Sequence, residues 1–194
     1  YQHTLKKVLN LDVPASEIAI SLGRPLAEVL GSYSKESLDE LIETYREYND
    51  TRHDSMAKLI AGVTETLKVL SKASLSLGVV TGKRKYLAMR GMQLHGIDAY
   101  MQAIVTPEDT QLHKPNPEPI FKALEILGKQ PEEAIMVGDS PVDLETARNA
   151  GTLSAAVMWS AAPKRHLLAQ KPDFLLQKMT DLIPICLDTE QAYA

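Results

Sequence analysis

The sequence predicts a doubly wound α/β core carrying a small all-helical lobe, and three observations lead there. The hydrophobic period is helical from Tyr1 to about Leu59, then alternates between helical and short apolar segments. Those apolar segments, such as Ala134-Ile135-Met136-Val137, lack polar alternation, as strands covered on both faces do. Each is separated from the next by a helical stretch, the order that builds a parallel sheet. The lobe is placed at residues 1–60 and the core at residues 61–194.

Pro14, Gly23, Pro25 and Gly31 divide the start of the chain into short helices. Leu38, Leu41, Ile42, Tyr45 and Tyr48 then share one face of a longer helix. In the core, Val63, Leu67 and Leu70 mark a helix face, and Leu75 to Thr81 (LSLGVVT) reads as a buried strand. Arg84 to Leu94 is helical, and Ala103 to Val105 is the next strand. The helix Glu118 to Leu127 places Ile120, Phe121, Leu124 and Leu127 on one side. Ala134 to Val137 is the third strand; the helix Pro141 to Ala150 stops at Gly151. An apolar run, Ser154 to Trp159, and a shorter strand at Asp173 to Leu175 complete the core.

Composition narrows the function. Lys+Arg number 21 and Asp+Glu 25, and the net charge of −4 argues against a dedicated nucleic-acid binder. Apolar residues at 44% and charged residues at 24% are those of a folded domain. A chain of 194 residues needs neither disulfide nor structural metal to fold. The single cysteine, Cys186, forms no internal disulfide, which fits a reducing, cytoplasmic setting. No apolar run approaches the roughly 20 residues of a membrane span. The opening Tyr1-Gln2-His3-Thr4-Leu5-Lys6-Lys7 does not have the pattern of a signal peptide.

Open parallel sheets bind ligands beyond the carboxyl ends of their strands. Thr81-Gly82-Lys83 follows the first strand. Thr106-Pro107-Glu108-Asp109 follows the second and leads into His113-Lys114-Pro115-Asn116-Pro117. Gly138-Asp139-Ser140-Pro141-Val142-Asp143 follows the third. Together they offer a hydroxyl, a flexible backbone, a lysine and two carboxylates, groups suited to Mg²⁺ and phosphate. Each has a plainer reading. Thr81 ends a strand, Lys114 is a surface lysine, and Ser140 to Asp143 is a good helix start. Capping and active-site roles are compatible at Asp143. Asp139, after an apolar strand and a glycine, has little structural purpose.

Val79-Val80-Thr81-Gly82-Lys83, His113-Lys114-Pro115-Asn116-Pro117-Glu118-Pro119 and Ile135-Met136-Val137-Gly138-Asp139-Ser140-Pro141-Val142-Asp143 resemble motifs two, three and four of the haloacid dehalogenase (HAD) superfamily. The run Glu133 to Trp159, with Ala147-Arg148-Asn149-Ala150-Gly151, resembles its phosphoglycolate-phosphatase and bacterial pyrophosphatase branch. The helical lobe is similar to that branch's cap, and Leu22-Gly23-Arg24-Pro25-Leu26 to its specificity loop. The resemblance implies a Rossmann-like core with a small helical cap, and a Mg²⁺-dependent phosphatase. Thr81 and the Gly82 backbone would then hold the phosphoryl group, and Lys114 would neutralise its charge. Asp139 would ligate Mg²⁺ with Asp143 in support, and Arg24 would help select the substrate. That substrate would be a small phosphorylated metabolite such as phosphoglycolate, with inorganic pyrophosphate as the alternative.

The chain departs from the family at its first motif, DxDGT after a strand, which supplies the nucleophile and the general acid–base. Asp12 follows a helix and lacks a second acid, and Asp188 lacks both the second aspartate and the glycine. The expectation is that the motif precedes Tyr1, on a strand of about 5–6 residues. Residues 1–194 alone are then expected to fold poorly and to be inactive. A non-catalytic HAD-like phosphate-binding module is the alternative from another class, with a phosphomutase third.

Overall fold

The computed structural model describes residues 1–190 and begins with four helices. They are α1 (Gln2–Leu9), α2 (Ala15–Ile20), α3 (Leu26–Gly31) and α4 (Leu38–Met56). Asn10 ends α1 in the left-handed conformation, its N–H bonded to the Lys6 carbonyl at 3.1 Å and the Leu11 N–H to the Leu5 carbonyl at 3.2 Å. Each helix contributes one side chain to a shared apolar centre: Leu5, Ile18, Leu30 and Leu41 are all buried there. This lobe contains no strand, as its helical period predicts.

Gly62, at φ +81°, admits the chain to α5 (Val63–Lys72). The core then runs β1 (Gly78–Val80), α6 (Lys85–Leu94), β2 (Ala103–Val105), α7 (Glu118–Leu127), β3 (Ile135–Gly138) and α8 (Pro141–Ala150). It closes with β4 (Leu153–Val157), α9 (Lys164–Leu168), β5 (Phe174–Leu176) and α10 (Leu182–Glu190). The strand expected from Leu75 to Thr81 is shortened to Gly78–Val80. Ser74 takes a left-handed φ of 63° and the Leu75 N–H still bonds to Leu70, so those residues finish the helix. Leu75 and Leu77 instead pack beneath α5 with Leu70.

All strand pairs are parallel, and they form two sheets, β1-β2 and β3-β4-β5. The same helices flank both. On one side α7 packs on β1 and β2, while its Ile120 and Leu124 also meet Ala134 and Met136 of the β3 segment. On the other, Leu70 of α5 packs with Leu77, Ile135 and Val137. The Leu77 carbonyl and the Thr81 N–H bond toward β2, so by alternation the backbone groups of Gly78 and Val80 face the other way. The Ala134 carbonyl bonds toward β4, which turns Ile135 and Val137 outward in the same sense. Val79, Val80 and Ile135 to Val137 are only half-buried, whereas β4, paired on both edges, is buried along nearly its whole length.

Lobe and core meet along α4 and at the Gly23 loop. Arg84 of the core holds Asp50 of α4 through both carboxylate oxygens at 2.8 and 3.0 Å. Arg90 of α6 adds Asp54 at 2.8 Å and the Asp50 carbonyl at 3.3 Å, and the buried His53 ring lies over Gly91. The Gly23 loop approaches Ser140.

Candidate active site

The site is built at the start of α8. Ser140 is the N-cap, and its hydroxyl accepts from the Asp143 N–H at 3.3 Å. Asp143 reaches back, its Oδ2 accepting from the Ser140 N–H at 3.1 Å and the Ser140 hydroxyl at 2.7 Å. This reciprocal box, with Pro141 in the first turn, is what the sequence predicts locally. Asp143 can fold back only because residue 138 is glycine: a Cβ there would lie 2.3 Å from the Asp143 Cβ.

Asp143 is therefore a cap, and it is also more. Its other oxygen receives the Lys114 ammonium at 2.6 Å, with both side chains nearly excluded from water. Burial opposes ionisation of Asp143, but Lys114 and the Ser140 donors outweigh it and hold the carboxyl below its usual range. Asp139 follows the end of β3, its N–H 3.3 Å from Asp143 Oδ2. Desolvation and the adjacent Asp143 carboxylate push its pKa up, against the opposing pull of Lys114. The Ser160 hydroxyl, from the loop after β4, donates to the Asp139 carbonyl and holds that turn.

This pair of carboxylates suits a divalent cation. Burial and the neighbouring Asp143 carboxylate raise Asp139 even though Lys114 lies close by, and a cation bound there would relieve both. Mg²⁺ is commonly held by one or two carboxylates plus water and substrate phosphate. Asp139 has the freer oxygens, while those of Asp143 are engaged by Lys114 and Ser140. Among the described residues no set of three acidic, His or Cys side chains converges.

Thr81 lies just past β1, its N–H bonded to the Val105 carbonyl at 3.0 Å. Its hydroxyl oxygen accepts from the Lys83 N–H at 3.1 Å, leaving the hydroxyl proton free to donate. A Cβ on Gly82 would meet nothing within 4 Å, so the backbone there borders open space. Glu108 and Asp109, in the loop after β2, serve structure. Glu108 accepts from the Lys85 N–H at the start of α6, and Asp109 closes a turn on Thr106.

The lobe meets this site through its Gly23 loop. Gly23 has φ +89°, and a Cβ on it would lie 2.3 Å from the Ser140 hydroxyl oxygen and 2.9 Å from Ser140 Cβ. Only glycine permits both the conformation and the approach. The next residue, Arg24, does not join Lys114: its guanidinium is exposed and pairs with Glu28, one turn along, at 3.1 Å. Asp12 lies in the loop after α1, paired with Lys6 at 2.6 Å; the Asp188 side chain lies outside the described residues.

A family model described as haloacid dehalogenase-like hydrolase matches residues 1–157, a span holding Thr81, Lys114, Asp139 and Asp143. The chain belongs to that family. "Putative pyrophosphatase PpaX" of Caldanaerobacter subterraneus is 41% identical over 185 residues, covering 95% of this chain and 84% of that one. Pyrophosphatase PpaX of Bacillus cereus strain G9842 is 37% identical over 185 residues, covering 95% and 86%. Among solved structures, the "putative haloacid dehalogenase-like hydrolase" of Bacteroides fragilis superposes with a TM-score of 0.85 at 24% identity, covering 93% and 88%. This HAD-family protein is thus an enzyme, a hydrolase of the phosphatase kind with an α/β fold.

Three residues at the site escaped sequence reasoning in their particular roles. Ser140 reads as a cap, yet it is also the surface on which the lobe's Gly23 rests. Ser160 follows an apolar run and carries no local cue to its bond with Asp139. Asn149 sits on the far turn of α8 and donates to the Pro115 carbonyl, beside Lys114.

Proposed function

We propose that this enzyme is a Mg²⁺-dependent phosphatase that hydrolyses inorganic pyrophosphate through an aspartyl-phosphate, in the cytoplasm. The observation that carries the reading is the cluster of Lys114, Asp139 and Asp143, a buried cation beside two carboxylates at a strand end. Lys114 would face the phosphoryl oxygens, where a fixed cation stabilises charge as the transition state develops. Thr81 would donate its hydroxyl proton to the same group, and the Gly82 backbone would approach it without side-chain obstruction. Asp139 would hold the metal, which supplies Lewis-acid neutralisation of the phosphate when bound. Asp143 would keep Lys114 aimed while capping α8, and the Gly23 loop would exclude water above Ser140. Pyrophosphate is preferred over phosphoglycolate because the relatives at 37–41% identity are named pyrophosphatases. The likeness to a solved protein named a phosphoglycolate phosphatase is at 23% identity and concerns the fold.

In-line attack needs a carboxylate that these loops do not spare. We infer that it arrives on a further strand, N-terminal to Tyr1, which pairs between β1 and β3. The outward backbone groups of Gly78, Val80, Ile135 and Val137 support this, as do the shared helical layers α5 and α7. The test compares residues 1–194 with a chain extended upstream by the strand and its DxDGT motif. The extended form should unfold cooperatively and release phosphate from pyrophosphate only with Mg²⁺. Turnover by residues 1–194 alone at the same rate would overturn this placement of the nucleophile. A folded extended form that binds phosphate without turnover would favour the non-catalytic alternative.

A further inference from the structure

Lys114 is tied to α8 at two points. Its ammonium meets Asp143 in the first turn at 2.6 Å, and Asn149 Nδ2 donates to the carbonyl of the next residue, Pro115, at 2.9 Å. Asp143 and Asn149 are six positions apart on one helix, a separation of about 9 Å along its axis. The loop's other bonds are within itself or to Glu118, the first residue of α7, and among the described residues none reaches α8. Asn116 Oδ1 accepts from the Glu118 N–H at 2.9 Å. The Glu118 carboxylate accepts from the Gln111 and Leu112 N–H groups at 3.0 and 2.8 Å. These shape the turn without placing it against the carboxylates. Packing of α7 on α8 through Ile120, Leu124 and Ala150 sets the approach coarsely. The Asn149 bond, spanning 34 residues of sequence, anchors the backbone beside Lys114 itself.

We propose that Asn149 is a positioning residue for Lys114. It ties the loop to the helix that carries Asp143, so the ammonium keeps its register with Asp143 and with the phosphoryl group. The ammonium ends a long side chain with four rotatable bonds, and a shift of its backbone moves the charge off the transition state. Asn149 is exposed, so it contributes little to the buried core. The proposal rests on the reading of Lys114 as the group that neutralises the phosphoryl oxygens.

The experiment uses the extended, nucleophile-bearing enzyme with Asn149→Ala, Asn149→Asp and Asn149→Gln, and with Lys114→Ala beside them. The readouts are kcat and KM for pyrophosphate, the dissociation constant for inorganic phosphate, and Tm. One neutral hydrogen bond corresponds to about two- to twelvefold in rate. Asn149→Ala and Asn149→Asp should lower kcat about three- to tenfold with KM within twofold, and phosphate binding should weaken modestly. Asn149→Gln, which keeps an amide donor, should recover a large part of kcat, and Tm should move by less than about 3 °C in all three. Wild-type kcat in the Ala and Asp variants, with Lys114→Ala impaired, would overturn the role of Asn149 and spare that of Lys114. A kcat loss that follows Tm and is not recovered by Gln would assign Asn149 to folding, and also overturn it. Wild-type turnover in Lys114→Ala would instead overturn the reading of the site.

Discussion

Replacing Lys114 with methionine should destabilise the protein in a way that depends on pH. The Lys114 and Asp143 side chains are 11% and 6% exposed, so the change leaves a carboxylate buried without its cation. Breaking such a pair costs about 3–5 kcal/mol. Asp143 keeps donors from the Ser140 N–H, the Ser140 hydroxyl and the Asp139 N–H, which places the loss near the lower end, about 3 kcal/mol. For a chain of this size that is a fall in Tm of about 6–12 °C. In the wild type the Asp143 pKa is depressed, so its stabilisation is present above the unfolded carboxylate value and lost as pH falls through the folded one. Without Lys114, burial dominates and raises that pKa, so the penalty is full at neutral pH and is relieved as the carboxyl protonates. The difference between the two proteins should therefore shrink between neutral pH and about pH 4, near the unfolded value. Urea unfolding at both pH values measures it, and Lys114→Met/Asp143→Asn should recover most of the stability. A loss below about 1 kcal/mol, the ordinary worth of an exposed pair, or one independent of pH, would refute the argument.

Three further outcomes are expected of the extended enzyme. Gly23→Ala brings a Cβ to 2.3 Å from the Ser140 hydroxyl oxygen at φ +89°, so the lobe loop should lift and kcat/KM fall about tenfold or more, a cost of about 1.4 kcal/mol. Wild-type efficiency would show that this contact is not part of turnover. Asp139→Asn should weaken Mg²⁺ binding in calorimetry. Wild-type affinity should fall as pH drops toward the raised Asp139 pKa, sooner than for an ordinary carboxylate, because the proton competes with the cation; unchanged affinity in the variant would remove Asp139 from the metal site. Arg24→Ala should alter the ratio of kcat/KM for pyrophosphate to that for phosphoglycolate while leaving Mg²⁺ affinity unchanged. The exposed pair with Glu28 is worth about 0.3–0.5 kcal/mol and yields easily to an anion; equal effects on both substrates would place Arg24 in folding of the lobe.

Local chemistry was the legible part of this chain. Helices at Glu118–Leu127 and Pro141–Ala150 and the strand at Ala103–Val105 lie where period, proline and glycine put them. These cues act within a few residues, through backbone sterics and the sidedness of apolar surface. Strand ends depend on neighbours, and local cues do not fix them. Leu75 to Leu77 are apolar enough for a strand, yet the turn at Ser74 makes them a buried connection to β1. The capping box at Ser140 and Asp143 was equally legible, since all its atoms lie within one helical turn.

Strand order already brings the loops of distant segments to one end of the sheet, but their actual contacts came only from the tertiary structure. Lys114 and Asp143 are 29 residues apart, and their ion pair exists because α7 and α8 pack side by side. Gly23 owes its identity to a serine more than a hundred positions away, and its φ alone would have suggested a simple turn. The division into two parallel sheets likewise depends on which strand edges meet, because residues of β1 and β3 carry the same apolar side chains whether paired or open. Sequence pattern records which face of an element is apolar; which element covers that face is decided by three-dimensional packing among all of them.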